Sequence, residues 1–127
     1  MSEPFVDDTT ASNLLELRRG TVVLASLAAL RTPSYGYALL DELGASGLDV
    51  DANTLYPLLR RLEKQGLLAS EWNTDEARPR KFYRTTPAGE RLATALTEEW
   101  ARLDRIIRGL DTGQPSATPS SPEGDTP

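Results

Sequence analysis

Apolar residues recur along this chain in two rhythms, and the change from one to the other divides it into elements. Leu14, Leu17, Val22, Leu24, Leu27 and Leu30 fall near helical spacing, which predicts a first helix over about residues 12 to 30. Thr32-Pro33-Ser34 stops it, because proline disfavours helical geometry in the preceding residue and brings no amide to the ladder. Ser34 is then placed to cap a second helix, Tyr35 to about Leu43, with Tyr35, Leu39, Leu40 and Leu43 as its inward stripe. Gly44 and Gly47 end it. A third helix starts at Asp51 or Asn53, either of which can accept from the unpaired amides of a first turn. Leu55, Leu58, Leu59 and Leu62 face a core and leave Thr54, Tyr56, Arg60, Arg61 and Lys64 around the remaining surface. Pro57 lies too deep for an ideal first turn if Asp51 is the cap, which predicts an irregular start. Gly66 suits a left-handed exit.

From Leu67 the period shortens to two. Residues 67–72 and 82–86 read as strands around a polar loop at 73–80, a hairpin beside the third helix. Pro87 suits a first helical turn, and a long helix to about Leu110 carries Leu92, Leu96, Trp100, Leu103, Ile106, Ile107 and Leu110 on one stripe. Such a helix is about 35 Å long at 1.5 Å per residue, more than a three-helix core of this size covers. The simplest cover is the same stripe, or the first helix, of a second copy related by a two-fold axis. The expected fold is therefore mainly α with a small β-hairpin: a winged helix-turn-helix plus a long C-terminal dimerisation helix. The expected boundaries are 1–10 for a disordered N-terminal arm, 11–87 for the winged helix, 88–110 for the dimerisation helix and 111–127 for a disordered acidic tail rich in proline and serine. That tail offers only Ala117 as an apolar residue and cannot bury enough surface to offset its ordering entropy. Leu14, Leu17, Leu96, Leu103, Ile106, Ile107 and Leu110 are the expected dimer interface.

Charge changes the picture once it is mapped. A formal charge of -5 over 127 residues argues against nucleic acid as a partner. Six of the acids, however, lie in residues 1–10 and 111–127, and residues 11–110 hold 14 bases against 13 acids, a net of +1. From Arg60 to Arg84 there are seven bases against four acids. Basic charge is local, and it coincides with the third helix and the hairpin.

Absent residue types narrow the chemistry further. With no cysteine and no histidine, disulfides, the usual zinc or iron sites, thiol nucleophiles and imidazole bases are all excluded. Catalysis would fall to carboxylates or to Lys64 and Lys81, both inside the basic segment, so no enzyme and no cofactor are expected. Asp49-Val50-Asp51-Ala52-Asn53 opens like a calcium loop, but Thr54 stands where that loop needs glycine and Arg60 where it needs glutamate. No metal is expected. Apolar runs fall far short of the roughly twenty residues that span a bilayer, and no basic-then-apolar leader precedes them, so a cytoplasmic chain is expected.

Four motifs then stand in order: Pro33-Ser34-Tyr35-Gly36-Tyr37, Thr54-Leu55-Tyr56-Pro57-Leu58-Leu59-Arg60-Arg61-Leu62-Glu63, Gly66-Leu67-Leu68, and Arg78-Pro79-Arg80-Lys81-Phe82-Tyr83-Arg84 with Thr86 and Gly89. Over about residues 14 to 110 the chain resembles the PadR family of transcriptional regulators. Its single C-terminal helix is similar to the family's short subgroup, which implies a homodimer that represses transcription and releases DNA when a ligand binds. Some of that subgroup hold flat aromatic molecules between subunits on a tryptophan of the last helix. By resemblance, Trp100 and Asp104 are the candidate effector residues, an indole for stacking and a carboxylate one turn on for a cationic ligand. The alternative is that Trp100 is dimer core and Asp104 pairs with Arg105 or Arg108. Two positions depart from the family: Asn53, where a small residue is more usual, and Thr85, where an apolar residue usually precedes the threonine.

The candidate DNA-binding residues are Tyr37, Asn53, Thr54, Tyr56, Arg60, Arg78, Arg80 and Lys81. Asn53 has an amide whose geometry favours adenine, Thr54, Tyr56 and Arg60 carry donors for phosphates or base edges, and the wing bases can reach phosphates or the minor groove. Tyr37 can add a phosphate contact at the start of the second helix. Tyr56 has a structural alternative, its ring wedged against the second helix. The expected partner is double-stranded DNA with a near-palindromic operator, since paired recognition helices about one turn of duplex apart read such a site. The competing reading is a winged helix used for protein contact, its basic wing serving an acidic partner.

Overall fold

Helix α1 spans Asp8–Ala29 and is capped by Asp7, whose side chain accepts from the Thr10 amide at 2.8 Å. That bond holds the Asp7 carboxyl below its ordinary value. The helix therefore begins four residues before Ser12, and residues 7–10, expected to be part of a disordered arm, are a cap and a first turn. The computed structural model describes residues 7–75 and 77–111, so the rest of the expected arm and all but Asp111 of the acidic tail lie outside the described residues. Val22, Ser26, Leu27 and Leu30 are buried, whereas Leu14, Leu15 and Leu17 on the first half of α1 are exposed.

Strand β1 is only Ser34–Tyr35, followed by α2 at Gly36–Ala45. Ser34 was expected to cap this helix. It is instead strand, paired with Tyr83, and the N-cap position falls to Tyr35 with no side-chain cap bond. Helix α3 spans Ala52–Lys64, and Asp51 is its cap, accepting from the Thr54 amide at 2.9 Å. Pro57 sits inside α3 without interrupting it, so the expected irregular start reduces to a first turn in which Thr54 and Leu55 both donate to the Asp51 carbonyl.

The two helices end in the same way. Gly47 and Gly66 have φ of 99° and 79°, the left-handed region where a Cβ is costly. Behind each, the next amide reaches back over the last turn: Leu48 to the Leu43 carbonyl at 2.8 Å, and Leu67 to the Leu62 carbonyl at 2.9 Å. The second of these exits turns the chain directly into the sheet.

Strands β2 (Leu68–Asn73) and β3 (Arg80–Thr85) pair antiparallel, with Trp72 opposite Lys81 and Ser70 opposite Tyr83. β1 adds to the other side of β3, so the sheet has the order β1-β3-β2 rather than being a plain hairpin. Leu68, Tyr83 and Thr85 share the face that closes the core with Leu27, Leu30, Leu39, Leu55, Leu59 and Leu62. Thr85 also donates its hydroxyl to the Leu27 carbonyl at 2.7 Å, which pins β3 to α1.

Helix α4 spans Pro87–Leu110. Its start is fastened to the exit of α3. Thr86 donates its hydroxyl to the Gly66 carbonyl (2.7 Å) and its amide to the Leu67 carbonyl (3.1 Å), while the hydroxyl oxygen accepts from the Gly89 amide (3.1 Å). Gly89 is buried so closely against Leu67 that a Cβ there would overlap the Leu67 carbonyl oxygen. Among the described residues the chain falls into two units, the second beginning at Thr94 within α4. In the second unit Trp100, Leu103, Ile106, Ile107 and Leu110 are all exposed. No helix among the described residues is long and apolar enough to cross a membrane.

Candidate nucleic-acid interface

Burial of Leu55, Leu59 and Leu62 fixes the rotation of α3, and the helical period then assigns every other residue a direction. Asn53, Pro57, Arg60 and Lys64 point away from the core, and all four are exposed. Thr54, Leu58 and Arg61 fall on one flank, where with Leu15, Arg18 and Val22 of α1 they line a groove. Tyr56 and Glu63 fall on the other flank, toward the sheet. Thr54, grouped with the DNA-binding residues from the sequence, thus lies on the side away from the wing. Lys64, outside that group, continues the Asn53–Arg60 face and is exposed.

Tyr56 is half-buried, and a Cβ added at Gly36 would come within 2.6 Å of its ring. The ring therefore packs on the backbone at the start of α2, as in the structural alternative, while Tyr56 also lines the cleft beside the wing. A side chain at residue 36 would displace it.

The wing is tied to α3 by one carboxylate. Glu63 accepts from the Ser70 hydroxyl at 2.5 Å and pairs with the Lys81 ammonium at 3.2 Å, both partners lying on the α3-facing side of the sheet. The Ser70 hydrogen bond first, and the Lys81 pair after it, hold the Glu63 carboxyl below its ordinary value against the opposing effect of partial burial. Lys81 also lies over the Tyr83 ring at 5.5 Å. A lysine read as a phosphate contact is thus first a strut between strand and helix.

On the opposite side of the sheet the contacts are aromatic. Tyr35 stacks on Tyr37 with ring centroids 5.5 Å apart and meets Phe82 edge-on at 5.9 Å. Asn73 donates its side-chain amide to the Tyr35 hydroxyl at 2.5 Å. The Arg80 guanidinium lies 4.9 Å from the centre of the Tyr37 ring. Tyr37 and Arg80 are thereby brought together from α2 and β3, whereas Arg78 stands exposed in the loop. Between the wing and the start of α2 runs an open cleft of about 550 Å³ lined by Tyr35, Tyr37, Trp72, Arg78, Arg80 and Lys81, with Tyr56 as its contribution from α3.

The same order of elements occurs in proteins of known class. Residues 23–95 match the model of the Transcriptional regulator PadR-like family. The chain belongs to the PadR-like family. Among its relatives, the transcriptional regulator Rv3488 of Mycobacterium tuberculosis is 44% identical over 80 residues, which cover 63% of this chain and 72% of that protein. The crystal structure of a PadR family transcriptional regulator from Eggerthella lenta superposes with a TM-score of 0.79 at 51% identity, covering 84% of this chain and 96% of that one. A transcriptional regulator from Clostridium thermocellum gives 0.69 at 29%, over 76% and 99%. Like other PadR-like proteins, this chain is a DNA-binding transcriptional regulator and not an enzyme.

The effector candidates lie outside this interface, on α4. Trp100 is 60% exposed. Asp104 accepts from the Arg108 guanidinium at 3.1 Å, the pairing weighed against a ligand role.

Proposed function

We propose that this PadR-like chain works as a homodimer that reads a near-palindromic operator, represses the gene behind it and lets go when a small planar aromatic molecule binds. The observation that carries the DNA part is the outward face of α3, where Asn53, Arg60 and Lys64 are exposed beside a wing bearing Arg78, Arg80 and Lys81. Asn53 reads a base edge, Arg60 and Lys64 meet base edges or phosphates, and the wing bases meet phosphates. Thr54, Tyr56 and Tyr37 border that face and supply hydroxyl donors to the backbone.

Dimerisation is supported by the exposed apolar residues of two helices: Leu14 and Leu17 on α1, and Leu103, Ile106, Ile107 and Leu110 on α4, with Leu96 half-buried on the same stripe. Exposed apolar residues in a row mark an interaction surface. Trp100 on that helix offers an indole face to a planar ligand, and Asp104 offers a carboxylate once Arg108 swings aside.

The test is titration of the purified protein with the DNA immediately upstream of its own coding sequence, read by fluorescence anisotropy at several salt concentrations, with sedimentation on the same sample. A dimer whose log affinity falls linearly and steeply with log salt is expected. A monomer, or a protein that ignores every duplex at low ionic strength, overturns the proposal. Quenching of Trp emission and release of bound duplex by planar aromatic cations is the expected signature of the effector site.

A further inference from the structure

An indole that stands out in water at the polar end of the hairpin calls for an explanation. Trp72 is 63% exposed near the end of β2. Strand alternation sets it on the same side of the sheet as Lys81, Tyr83 and Ser70, the side that faces α3, and it lines the cleft that the wing forms with the start of α2 and with Tyr56 of α3. Tyr37 and Tyr56 line the same cleft, with Arg78, Arg80 and Lys81. No carboxylate is among the described residues that line it; Glu63, which pairs with Lys81, stands outside.

We infer that this cleft is a saddle for one sugar–phosphate strand of duplex DNA, and that Trp72 is a DNA-contact residue whose indole packs on the deoxyribose edge of that strand. The inference rests on the DNA-binding reading of α3 and the wing, and extends it to a residue and a type of contact outside the basic set. The two grooves of a duplex are separated by a single backbone strand. A protein that sets α3 in one groove and the hairpin in the other straddles that strand with the surface where the two meet, and there Tyr56 of α3, the start of α2 and the wing line this cleft. The occupant then has two kinds of surface, an anionic rim and the apolar edges of its sugars. The cleft has both complements: the Arg78 and Arg80 guanidinium groups for the first, an indole and tyrosine rings for the second. A carboxylate-bearing protein partner would satisfy only the cations.

An apolar contact of this kind has its own signature. It releases no counterions, so it adds to affinity without adding to the salt slope. It reads no base, so it acts equally on every sequence. The experiment compares the full-length wild type, Trp72→Ala and Trp72→Phe on two duplexes of about 30 base pairs, one from the upstream region of its own gene and one of shuffled sequence, across a salt series. Trp72→Ala is expected to weaken binding about five- to tenfold on both duplexes with an unchanged slope of log affinity against log salt, and Trp72→Phe to stay within about twofold of wild type. The emission attributable to Trp72, obtained as wild type minus Trp72→Phe, is expected to lose accessibility to acrylamide when either duplex is added. Such a readout does not depend on whether the alanine variant folds.

Equal affinity of Trp72→Ala and wild type, a loss confined to the gene's own sequence, or a Trp72 signal as open to acrylamide with DNA as without overturns the saddle while leaving DNA binding by α3 intact. Failure of the wild type to bind either duplex overturns both.

Discussion

Helices α3 and α4 are built on the same amphipathic plan and meet opposite fates. Leu59 of α3 is 0% exposed, whereas Leu110 of α4 is 76% exposed. Both carry leucine or isoleucine at helical spacing and charges elsewhere. The difference lies in what the rest of the chain offers. α3 finds α2 and the sheet, while Trp100, Leu103, Ile106, Ile107 and Leu110 of α4 stay exposed among the described residues. Pattern states that a helix has an apolar face; it does not state what covers that face.

That comparison can be broken most forcefully from the α3 side. Leu59→Ala removes a fully buried side chain and is expected to cost about 3 kcal/mol, read as a lower urea midpoint with the slope unchanged. The equivalent attack on α4 is Ile107→Glu. If the proposed homodimer closes on this stripe, it is expected to leave helix content by circular dichroism near wild type while raising the dimer dissociation constant roughly a hundredfold by sedimentation, since a carboxylate would then sit at a buried seam. Persistence of the dimer would move the seam elsewhere.

A finer contrast lies within α4 itself. Gly89→Ala drives a methyl into the Leu67 carbonyl and is expected to lower stability by about 2 kcal/mol. Gly109 has nothing within 4 Å of where its Cβ would stand, so Gly109→Ala is expected to add up to about 1 kcal/mol through helix propensity. A loss of stability at Gly109 would show that a partner's atoms approach there.

The smallest effect concerns the strut between α3 and the wing. The folded state holds the Glu63 pKa below its ordinary 4.5, so Glu63 contributes stability that is complete above that value and disappears as pH falls through the depressed folded value. Ser70→Ala removes the largest cause of the depression. It is expected to lower stability by about 1 kcal/mol at neutral pH and to flatten the dependence of the urea midpoint on pH on the acid side of 4.5.

Much of this was legible in the residues because it is periodic. The leucines of α3, the stripe of α4 and the alternation of β2 and β3 depend on spacing, and spacing survives in a linear string. The start of α1 was missed because Asp8, Thr9 and Thr10 are polar and give no stripe; only the cap formed by Asp7 marks it. β1 was missed because two residues cannot alternate, and Ser34, a good cap in isolation, is claimed by Tyr83 of a strand far along the chain. Within the candidate site, the outward position of Asn53 and Arg60 follows from the helical period, and so does that of Lys64. The place of Thr54 on the α1 flank follows from the same arithmetic once the buried leucines fix the rotation. The engagement of Lys81 by Glu63 and of Arg80 by Tyr37 is tertiary, and nothing in a charge count distinguishes a strut from a free cation.

The fastening at Thr86 has a mechanical consequence. Because its hydroxyl and amide hold the Gly66 and Leu67 carbonyls, and Gly89 leaves no gap beneath them, the root of α4 has no slack against the residues that end α3. The last turn of α3 and the first turn of α4 are therefore one joint, and a substitution at Thr86 or Gly89 disturbs both helix ends together.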